Sequence, residues 1–433
     1  MIRLERSIPD AKPNFTPGEA VAEANRCLYC HDAPCVTACP TGIDVPAFIR
    51  KIATGNLAGS AKVILSANLL GYSCARACPV EVLCAGACVY NAWNRPPIMI
   101  GRLQRHAVEA AFEGSGTAAL LPRAKANGRK VACVGAGPAS LACAGYLALE
   151  GCSVTLFEKR DVSGGLNTSG VAPYKLHVDG ALAEVAFIRS LGVEIRAGVE
   201  VGSQVTAAAL LEDFDAVFVA PGLGADSKLG IPGEDGPGVA GAVGWIERLK
   251  LEANFSMDGL KQAVVIGGGN TAIDAARELA KVGVSEVTML YRRTLADMSG
   301  YAHELEHART EGVRFVEQAV PEGFEREDGA LRAVRLADGR AYPCALALVA
   351  IGQTRLREVA AAFPGIAVDE RGRIVADPAS GATGNPKVWA GGDATGGELV
   401  VTAAQDGKRA ARAIARALGL PERLDAPMRA GHA

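Results

Sequence analysis

The chain has 433 residues, of which 49% are hydrophobic and 21% charged, and it contains 51 glycines. This length allows two or three domains, and the composition is typical of a packed α/β protein. The formal net charge of −2 and the lack of a basic run argue against nucleic acid as a partner. With no apolar stretch of the signal-peptide type at the N-terminus, we expect a cytoplasmic protein that does not enter a membrane.

Cysteines mark the first quarter of the chain. Eight of the twelve form two groups, Cys27, Cys30, Cys35 and Cys39, and then Cys74, Cys78, Cys84 and Cys88. Their close spacing, without a secretory signal, favours metal binding over disulfides. Cys39 and Cys78 each precede a proline. In two-cluster ferredoxins the cysteine before proline ligates the other cluster, so we expect the two groups to interlock.

Two [4Fe–4S] clusters are the favoured interpretation of these cysteines. The alternative is a pair of structural zinc ions in a nucleotide-binding module without enzymatic activity, because thiolates bind zinc equally well. The Cys-Pro dipeptides are of ferredoxin type, and dinucleotide motifs further along the chain would give clusters a source of electrons. The other four cysteines lie in apolar surroundings and are predicted to be core residues: Cys133, Cys143, Cys152 and Cys344.

The next elements lead into a dinucleotide-binding motif. Residues 45–70 have the apolar period of two helices, and residues 113–128 read as a linker. A strand is predicted from Lys130 to Val134. The uncharged run at 131–149 is as long as a membrane span, but glycines and a proline interrupt it where a strand would turn into a helix.

The first dinucleotide motif follows this strand as a G-x-G-x-x-S turn made by Gly135, Gly137 and Ser140. Gly135 permits the tight turn, and Gly137 lets the backbone approach a pyrophosphate at the helix N-terminus. Glu158 ends the next predicted strand, which begins at Ser153. It lies about 20 residues beyond the glycines, where a ribose-binding carboxylate belongs.

Residues 388–393, near the C-terminus, resemble the second FAD signature of flavoproteins with two dinucleotide domains. The resemblance implies that Gly392 and Asp393 contact the ribityl–phosphate part of FAD. A helix from Thr402 would then aim its N-terminus at the isoalloxazine. Gly165 and Leu166, in residues 164–167, and the segment 172–175 resemble the flavin-lining loop of these proteins, with an ordinary turn-rich loop as the alternative.

The second dinucleotide motif follows a strand that starts near Ala263 and includes Gly267, Gly269, Asn270 and Thr271. The next strand, which starts at Glu286, ends in two basic residues, Arg292 and Arg293, instead of an acid. Arginines there accommodate the 2′-phosphate of NADP, whereas a carboxylate would bond the 2′-hydroxyl of NAD. NADPH is therefore favoured, and NAD stays open as the alternative.

Two further expectations concern residues near the dinucleotide sites. His303, Glu304 and Glu306 are predicted to lie solvated on a surface helix. Disulfide reductases share the two-domain layout but add a redox cysteine pair beside the flavin. Residues 164–170 contain no cysteine, which argues against thiol chemistry.

The cysteine-rich region is similar to the N-terminal domain of dihydropyrimidine dehydrogenase and to the bacterial flavoprotein subunit of that enzyme. The gap between Cys78 and Cys84, longer than in glutamate synthase small subunits, and the segment 100–104 carry the resemblance. It implies a first ligand set of Cys27, Cys30, Cys35 and Cys88, and a second ligand set of Cys39, Cys78, Cys84 and Gln104. Cys74 is then left without iron. From spacing alone Cys74 stays possible as the eighth thiolate, and Gln104 as an exposed amide.

The predicted fold class is α/β, with an N-terminal helical two-cluster iron–sulfur domain followed by two Rossmann-like domains. The cluster domain would span residues 1–115. The FAD-binding domain would comprise residues 129–232 and 356–433, and the NAD(P)-binding domain, at 233–355, would be inserted in it.

The resemblance implies that the chain passes electrons from NAD(P)H through FAD and the two clusters. The acceptor would be a separate subunit with FMN and iron–sulfur clusters, in a hetero-oligomer that reduces uracil or thymine to 5,6-dihydropyrimidines. The alternative is the small subunit of glutamate synthase or a related electron donor. The cofactors carry this chemistry, so no residue is nominated as catalytic.

Overall fold

The computed structural model describes residues 3–114 and 117–421. Tertiary contacts divide the chain into two compact units. The larger unit comprises Lys12–Thr168, Asp179–Leu223 and Arg355–Ala433, and the smaller unit comprises Met1–Ala11, Ser169–Val178 and Gly224–Thr354. In the described residues, no helix combines the length and the apolar character that a membrane crossing requires.

The larger unit begins with a helical region that carries the clustered cysteines. Its helices are α1 (Pro17–Ala24), α2 (Pro34–Thr37), α3 (Val45–Ala53), α4 (Leu57–Ala67), α5 (Gly71–Ala77) and α6 (Ile100–Glu113). Side chains of Asp44 and Asn56 cap α3 and α4 by accepting hydrogen bonds from backbone amides of the first turn. The two helices predicted within residues 45–70 are therefore confirmed.

A five-stranded parallel sheet forms the rest of the larger unit. Its elements are β1 (Lys130–Val134), α7 (Pro138–Leu149), β2 (Ser153–Glu158), α8 (Leu166–Ser169), α9 (Val178–Ser190), β3 (Glu194–Ala197), α10 (Ala207–Asp213) and β4 (Ala216–Val219). The smaller unit's residues then intervene in the chain. The last three elements of this unit follow them in the chain.

The smaller unit holds a second five-stranded parallel sheet and a small antiparallel one. Its elements are β5 (Val239–Gly241), α11 (Ala242–Leu251), β6 (Gln262–Ile266), α12 (Asn270–Lys281), β7 (Glu286–Leu290), α13 (Ala302–Thr310), β8 (Arg314–Val316), β9 (Pro321–Glu327), β10 (Ala330–Leu336), β11 (Ala341–Pro343) and β12 (Leu346–Val349). The parallel sheet has the order β5-β12-β6-β7-β8, and the antiparallel sheet the order β11-β10-β9.

The chain then completes the larger unit with α14 (Arg357–Ala361), β13 (Val388–Ala390) and α15 (Val400–Ala417). Its sheet has the order β13-β4-β1-β2-β3, and every neighbouring pair is parallel. Each five-stranded sheet therefore places the strand before its glycine motif, β1 or β6, at the centre. In open parallel sheets the carboxyl ends of such central strands bind dinucleotides.

Several sequence predictions are confirmed at the level of single elements. β1 and β2 have the predicted bounds, and the C-terminal helix begins at Val400, two residues before the predicted Thr402. The cysteines predicted to be core residues are all buried: Cys133, Cys143, Cys152 and Cys344. The uncharged run at 131–149 forms β1 and α7, because its glycines end the strand and start the helix.

Close packing of α15 on α7 depends on a glycine. A Cβ atom on Gly407 would overlap the carbonyl oxygen of Ala139 and lie 2.9 Å from the backbone nitrogen of Cys143. Both of those atoms belong to helical backbone, which cannot move aside as a flexible side chain can. The two helices can therefore approach this closely only while residue 407 lacks a side chain.

We predict that Gly407→Ala lowers the free energy of unfolding by about 1–3 kcal/mol, the usual cost of overpacking. Alanine otherwise favours helices over glycine by about 1 kcal/mol, so the expected sign is opposite to that of helix propensity. Thermal unfolding of the purified protein measures this change in the free energy of unfolding. Gly18→Ala in α1 is the matched control, because a Cβ there meets nothing within 4 Å. Equal effects of the two substitutions would contradict the packing argument.

Candidate functional site

The first ligand set lines a cavity in the helical region of the larger unit. Cys27, Cys30, Cys35 and Cys88 face an empty space of about 370 Å³, a volume that includes its opening to solvent. The rest of the lining is largely apolar, from residues such as Ile49, Ile98 and Ile100. Burial raises the pKa of the Cys35 thiol to about 11, and the charges of neighbouring cysteines add to this.

Three cysteines of the second ligand set lie near one another and do not line this cavity: Cys39, Cys78 and Cys84. Burial raises the pKa of Cys84 to about 12, and the negative charge of Cys39 adds to it. The pKa of Cys78 is raised by a hydrogen bond with Cys74, by burial and by the charges of Cys74, Cys84 and Cys39. Cys88 thus lies with the first motif's cysteines and Cys39 with the second motif's, as an interlocked pair of sites requires.

Gln104 lies in the apolar stripe of α6 and is 7% exposed. Its Nε2 donates a hydrogen bond of 2.6 Å to the carbonyl oxygen of Gly71, the first residue of α5. Helix α5 ends next to Cys78, which is its C-cap residue. The exposed-amide alternative is therefore wrong, because the amide is buried and its nitrogen donates to backbone.

The spacing of these cysteines bears on the choice between zinc and clusters. Across residues 3–114 and 117–421, no three His, Cys, Asp or Glu side chains are arranged to hold one metal ion. Yet four thiols line one cavity. A tetrahedral zinc ion needs its thiolates close together, whereas a [4Fe–4S] cluster separates them by its own width. Four cysteine thiols around one cavity are the donor set that a [4Fe–4S] cluster uses.

Glycines bring three distant segments together at the N-terminus of α7. Gly135 has a φ of +89° and approaches β4 so closely that a Cβ would lie 2.7 Å from the carbonyl oxygen of Ala220. A Cβ on Gly165 would lie 2.7 Å from the Cα of Gly137. One on Gly392 would lie 3.0 Å from the Cβ of Ala139. This bare backbone at a helix N-terminus fits a pyrophosphate.

Hydrogen bonds with backbone groups hold the polar residues that were predicted for this site. Glu158, which is buried, accepts hydrogen bonds from the amides of Ala136 at 2.7 Å and Arg160 at 2.9 Å. Its carboxylate is thereby held at the end of β2, beside the glycine turn. Ser140 is fully buried and its hydroxyl donates to the carbonyl oxygen of Val134 at 3.4 Å. Leu166 begins α8 and is half-buried.

Asp393 lies in a short turn, Gly392–Thr395, directly after β13. Burial raises the pKa of its carboxyl to about 6, although Arg355 lowers it. The Arg355 guanidinium donates to the backbone carbonyl of Asp393 and not to its carboxylate. The Gly392 amide donates to Asp406 at 3.0 Å, which fixes the turn. A carboxylate at this position is the type of group to which a ribityl hydroxyl would donate.

In the smaller unit, the second glycine motif joins β6 to α12. Gly267 has a φ of +149°, and a Cβ on it would overlap the carbonyl oxygen of Ala350. Gly269 is the N-cap of α12, and Thr271 lies in its first turn. Asn270 accepts a hydrogen bond from the amide of Tyr301 at 3.0 Å, a contact that sequence reasoning missed.

Arg292 and Arg293 lie two and three residues after the end of β7, beyond Tyr291, and are exposed. Neither side chain forms an ion pair with another residue in the described part of the smaller unit. Their exposure lets both side chains meet a phosphate beyond the carboxyl end of the strand next to β6, where the adenosine ribose binds in this kind of fold.

The prediction that Glu304 is solvated is wrong. It is 13% exposed and pairs with Lys175 at 2.9 Å and with Arg277. Lys175 also pairs with Asp274 at 2.7 Å, and Arg277 with Glu311 at 2.8 Å. Helix α13, which was predicted to be a surface element, thus contains one acidic residue that neutralises buried cations. Spacing in the sequence does not reveal such pairing. By contrast, Glu306 is exposed, and the His303 side chain is 23% exposed.

Three buried charged residues were also missed, and each has a recognisable signal. The three residues lie on the apolar faces of α11, α15 and α9: Lys250, Lys408 and Glu184. A charged side chain is seldom buried at such a position without a hydrogen-bonding or ionic partner. Lys250 donates to the backbone carbonyls of Val171 and Leu176 at 2.6 and 2.9 Å. It thereby holds the segment 172–175 that resembles the flavin-lining loop.

Two family models match the chain. Residues 5–115 match "dihydropyrimidine dehydrogenase domain II, 4Fe-4S cluster", and residues 129–407 match "pyridine nucleotide-disulphide oxidoreductase". The thioredoxin reductase of T. acidophilum has a similar structure, with a TM-score of 0.53 and 23% identity over 66% of this chain and 98% of that one. That likeness shows the fold alone.

Two curated relatives are similar over nearly their whole length. The glutamate synthase [NADPH] small chain of Escherichia coli (strain K12) is 33% identical, covering 92% of both chains. The NAD-dependent dihydropyrimidine dehydrogenase subunit PreT of the same strain is 36% identical, covering 94% of this chain and 96% of the relative.

The chain therefore belongs to the pyridine nucleotide-disulphide oxidoreductase family, with an added N-terminal iron–sulfur domain. It is an NAD(P)H-dependent, electron-donating flavoprotein whose cofactors are FAD and [4Fe–4S] clusters. The sequence predictions of the fold class and of these cofactors are confirmed. The individual ligands and binding residues stay predictions.

We predict that Gln104→Ala alters or removes the cluster of the second ligand set while the first cluster and FAD remain. Loss of the amide oxygen takes away one iron ligand, and the buried position offers no solvent-side substitute. Iron and acid-labile sulfide assays, with electron paramagnetic resonance (EPR) of the reduced protein, measure this. Two intact clusters with unchanged potentials would reject the ligand role.

A matched pair of variants completes this experiment. Cys74→Ala removes the competing thiol and is expected to retain both clusters, because Cys74 contacts Cys78 as a hydrogen-bonding neighbour. Gln204→Ala, at an exposed turn of the same unit, controls for loss of an amide. Loss of a cluster in Cys74→Ala but not in Gln104→Ala would make Cys74 the eighth ligand.

The double variant Arg292→Ser/Arg293→Ser should raise the KM for NADPH about tenfold or more and leave the KM for NADH nearly unchanged. Hydrogen bonds to a charged phosphate contribute about 1.5–3 kcal/mol, and NADH has no 2′-phosphate. Steady-state reduction of an artificial acceptor measures both constants. Arg332→Ser, an exposed arginine of β10, is the control. An unchanged preference would mean that the two arginines are merely solvated.

Proposed function

We propose that the chain is the electron-input subunit of a dihydropyrimidine dehydrogenase, an NAD(P)-dependent oxidoreductase acting on CH–CH groups. A partner subunit with FMN and iron–sulfur clusters would use the electrons to reduce uracil or thymine to the 5,6-dihydro form. Bound FAD would supply the step from hydride to single electrons. The two chains would form a hetero-oligomer in the cytoplasm.

The observation that carries this proposal is the buried Gln104 amide anchored on Gly71. A buried glutamine whose nitrogen is already bonded has a carbonyl oxygen to offer, and α5 links that anchor to Cys78. In the resemblance stated above, this glutamine distinguishes dihydropyrimidine dehydrogenase from glutamate synthase. The relative named PreT, at 36% identity, supports the same assignment.

The geometry of the larger and smaller units, each taken separately, supports the cofactor-binding roles that we infer. For FAD we infer contacts with bare backbone at Gly135, Gly137, Gly165 and Gly392, and with side chains of Ser140, Glu158, Leu166 and Asp393. For NAD(P)H we infer Gly267, Gly269, Asn270 and Thr271, with Arg292 and Arg293 at the 2′ position. These arginines favour NADPH, whereas the name of the relative PreT favours NAD.

The other candidate is an electron-donating small chain of the glutamate synthase type. The 33% identity to the glutamate synthase small chain, over 92% of both chains, favours it. The gap between Cys78 and Cys84 and the buried Gln104 favour the first candidate. Both candidates use the same cofactors in this chain and differ in the partner and in the final acceptor.

The deciding experiment combines the purified chain with a dihydropyrimidine dehydrogenase catalytic subunit that contains FMN and iron–sulfur clusters. We expect oxidation of NAD(P)H to depend on uracil and to yield one dihydrouracil per nicotinamide oxidised. The parallel reaction uses a glutamate synthase large subunit with glutamine and 2-oxoglutarate. Oxidation that depends on these two substrates and not on uracil would select the second candidate.

Cys27→Ser serves as the internal control for the route of the electrons. Loss of a thiolate from the first ligand set should abolish uracil-dependent oxidation, whereas NAD(P)H should still bleach the flavin absorbance. Retained uracil-dependent turnover after loss of that cluster would contradict the proposal that both clusters lie on the path to the partner.

A further inference from the structure

We propose that two buried side chains of the flavin-binding domain, Glu184 and Lys408, are positioning residues for the cluster of the second ligand set, and that the charge of Lys408 raises the reduction potential of this cluster. The inference rests on the ligand set proposed above. It concerns contacts inside the larger unit, between α9 or α15 and the helical region that carries the cysteines.

The contacts converge on one short stretch of backbone, residues 67–73, between the end of α4 and the first turn of α5. At its start, the carbonyl oxygen of Ala67 accepts a hydrogen bond of 2.8 Å from Lys408. In its middle, Gly71 accepts the 2.6 Å bond from Gln104. At its end, the amides of Tyr72 and Ser73 donate to Glu184. The anchor of Gln104 is thus held from both sides.

Glu184 closes the first turn of α5. Its Oε1 accepts from the amides of Tyr72 and Ser73 at 3.0 and 3.2 Å, and its Oε2 accepts from the Ser73 hydroxyl. These amides have no partner within α5 because they belong to its first turn. Glu184 is 2% exposed, so water does not substitute for it. Its carboxylate therefore fixes where Gly71 presents its carbonyl to Gln104.

Lys408 holds a second segment at the same time. Besides Ala67, it donates at 2.9 Å to the carbonyl oxygen of Thr41, two residues after Cys39. The Thr41 hydroxyl lies 3.3 Å from the sulfur of Cys39. Lys408 is 8% exposed. The ammonium group of Lys408 thus links two segments. One is the loop that follows Cys39, and the other is the backbone that orients Gln104.

The charge of Lys408 should act on the potential in a predictable direction. Reduction adds one electron to a cluster, and a nearby cation in a poorly solvated site stabilises the more negative, reduced form. Hydrogen bonds to the sulfurs act in the same sense. Lys408 therefore raises the potential of this cluster, in addition to the rise expected from the neutral Gln104.

The test is a redox titration followed by EPR on the purified, iron-loaded chain, which needs no partner subunit. Lys408→Met should lower the potential of the second cluster by about 59 mV or more, a tenfold change in the one-electron equilibrium. The first cluster should keep its potential. Lys408→Arg keeps the positive charge and is therefore expected to keep most of the potential of the unaltered protein.

Glu184→Gln tests the positioning role separately. The amide keeps one acceptor oxygen but turns an NH₂ donor toward the amides and hydroxyl of the first turn of α5. We expect a changed EPR signal from the second cluster, an unchanged signal from the first and full FAD content. Arg409→Met, next to Lys408 but exposed, and Glu212→Gln, exposed on α10, are the matched controls.

The outcomes separate this inference from the proposed function. Absence of iron from the unaltered chain would refute the proposed function itself. Two clusters whose potentials and signals stay unchanged in Lys408→Met and Glu184→Gln would overturn the inference alone. Equal changes in both clusters, or loss of FAD, would also overturn it, because a purely structural role would have that effect. Loss of only the second cluster in either variant would support the positioning role. The reduction potential of the second cluster would then be measured in Lys408→Arg.

Discussion

Direct contact between backbones at glycines is the constraint on which both nucleotide-binding folds depend. Gly135 touches the end of β4, Gly165 touches Gly137, and Gly407 lets α15 lie against α7. None of these contacts leaves room for a Cβ, so each fixes two chain segments that are far apart in sequence. Gly135, Gly137 and Gly165 also lie around the N-terminus of α7, where a pyrophosphate would bind.

A second constraint is the supply of partners to irregular backbone. The segments 41–42 and 171–176 lie between regular elements, and 67–73 joins the last residue of α4 to the first turn of α5. Carbonyl and amide groups in such places lack the partners that the interior of helices and sheets provides. Lys408, Glu184 and Lys250 supply those partners from neighbouring helices. A single ammonium group can satisfy two carbonyls from different segments, which makes a buried lysine an effective cross-link between them.

The sequence predicts the parts of this structure that depend on local pattern. Strands β1 and β2, the helices α3 and α4 and the burial of Cys133 follow from periodicity and glycine spacing, which act over a few residues. It does not predict the anchoring of Gln104 on Gly71, since the two residues are 33 positions apart. The error at Glu304 has the same origin: its solvation depends on where Lys175 and Arg277 lie, and no short-range pattern contains them.

The two ligand sets differ in what surrounds them. At the second set, the neutral Gln104 and the cation of Lys408 would shift the reduction potential in the same direction. The first set lines an apolar cavity that opens to solvent. In the proposed second set the neutral Gln104 would replace a thiolate, and the cation of Lys408 lies next to the backbone of this set. Removing a negative charge and adding a positive one both favour the reduced state of the second cluster. Because Lys408 and Glu184 come from the helices that pack around the flavin-binding sheet, the domain that would supply the electron also tunes the group that would receive it.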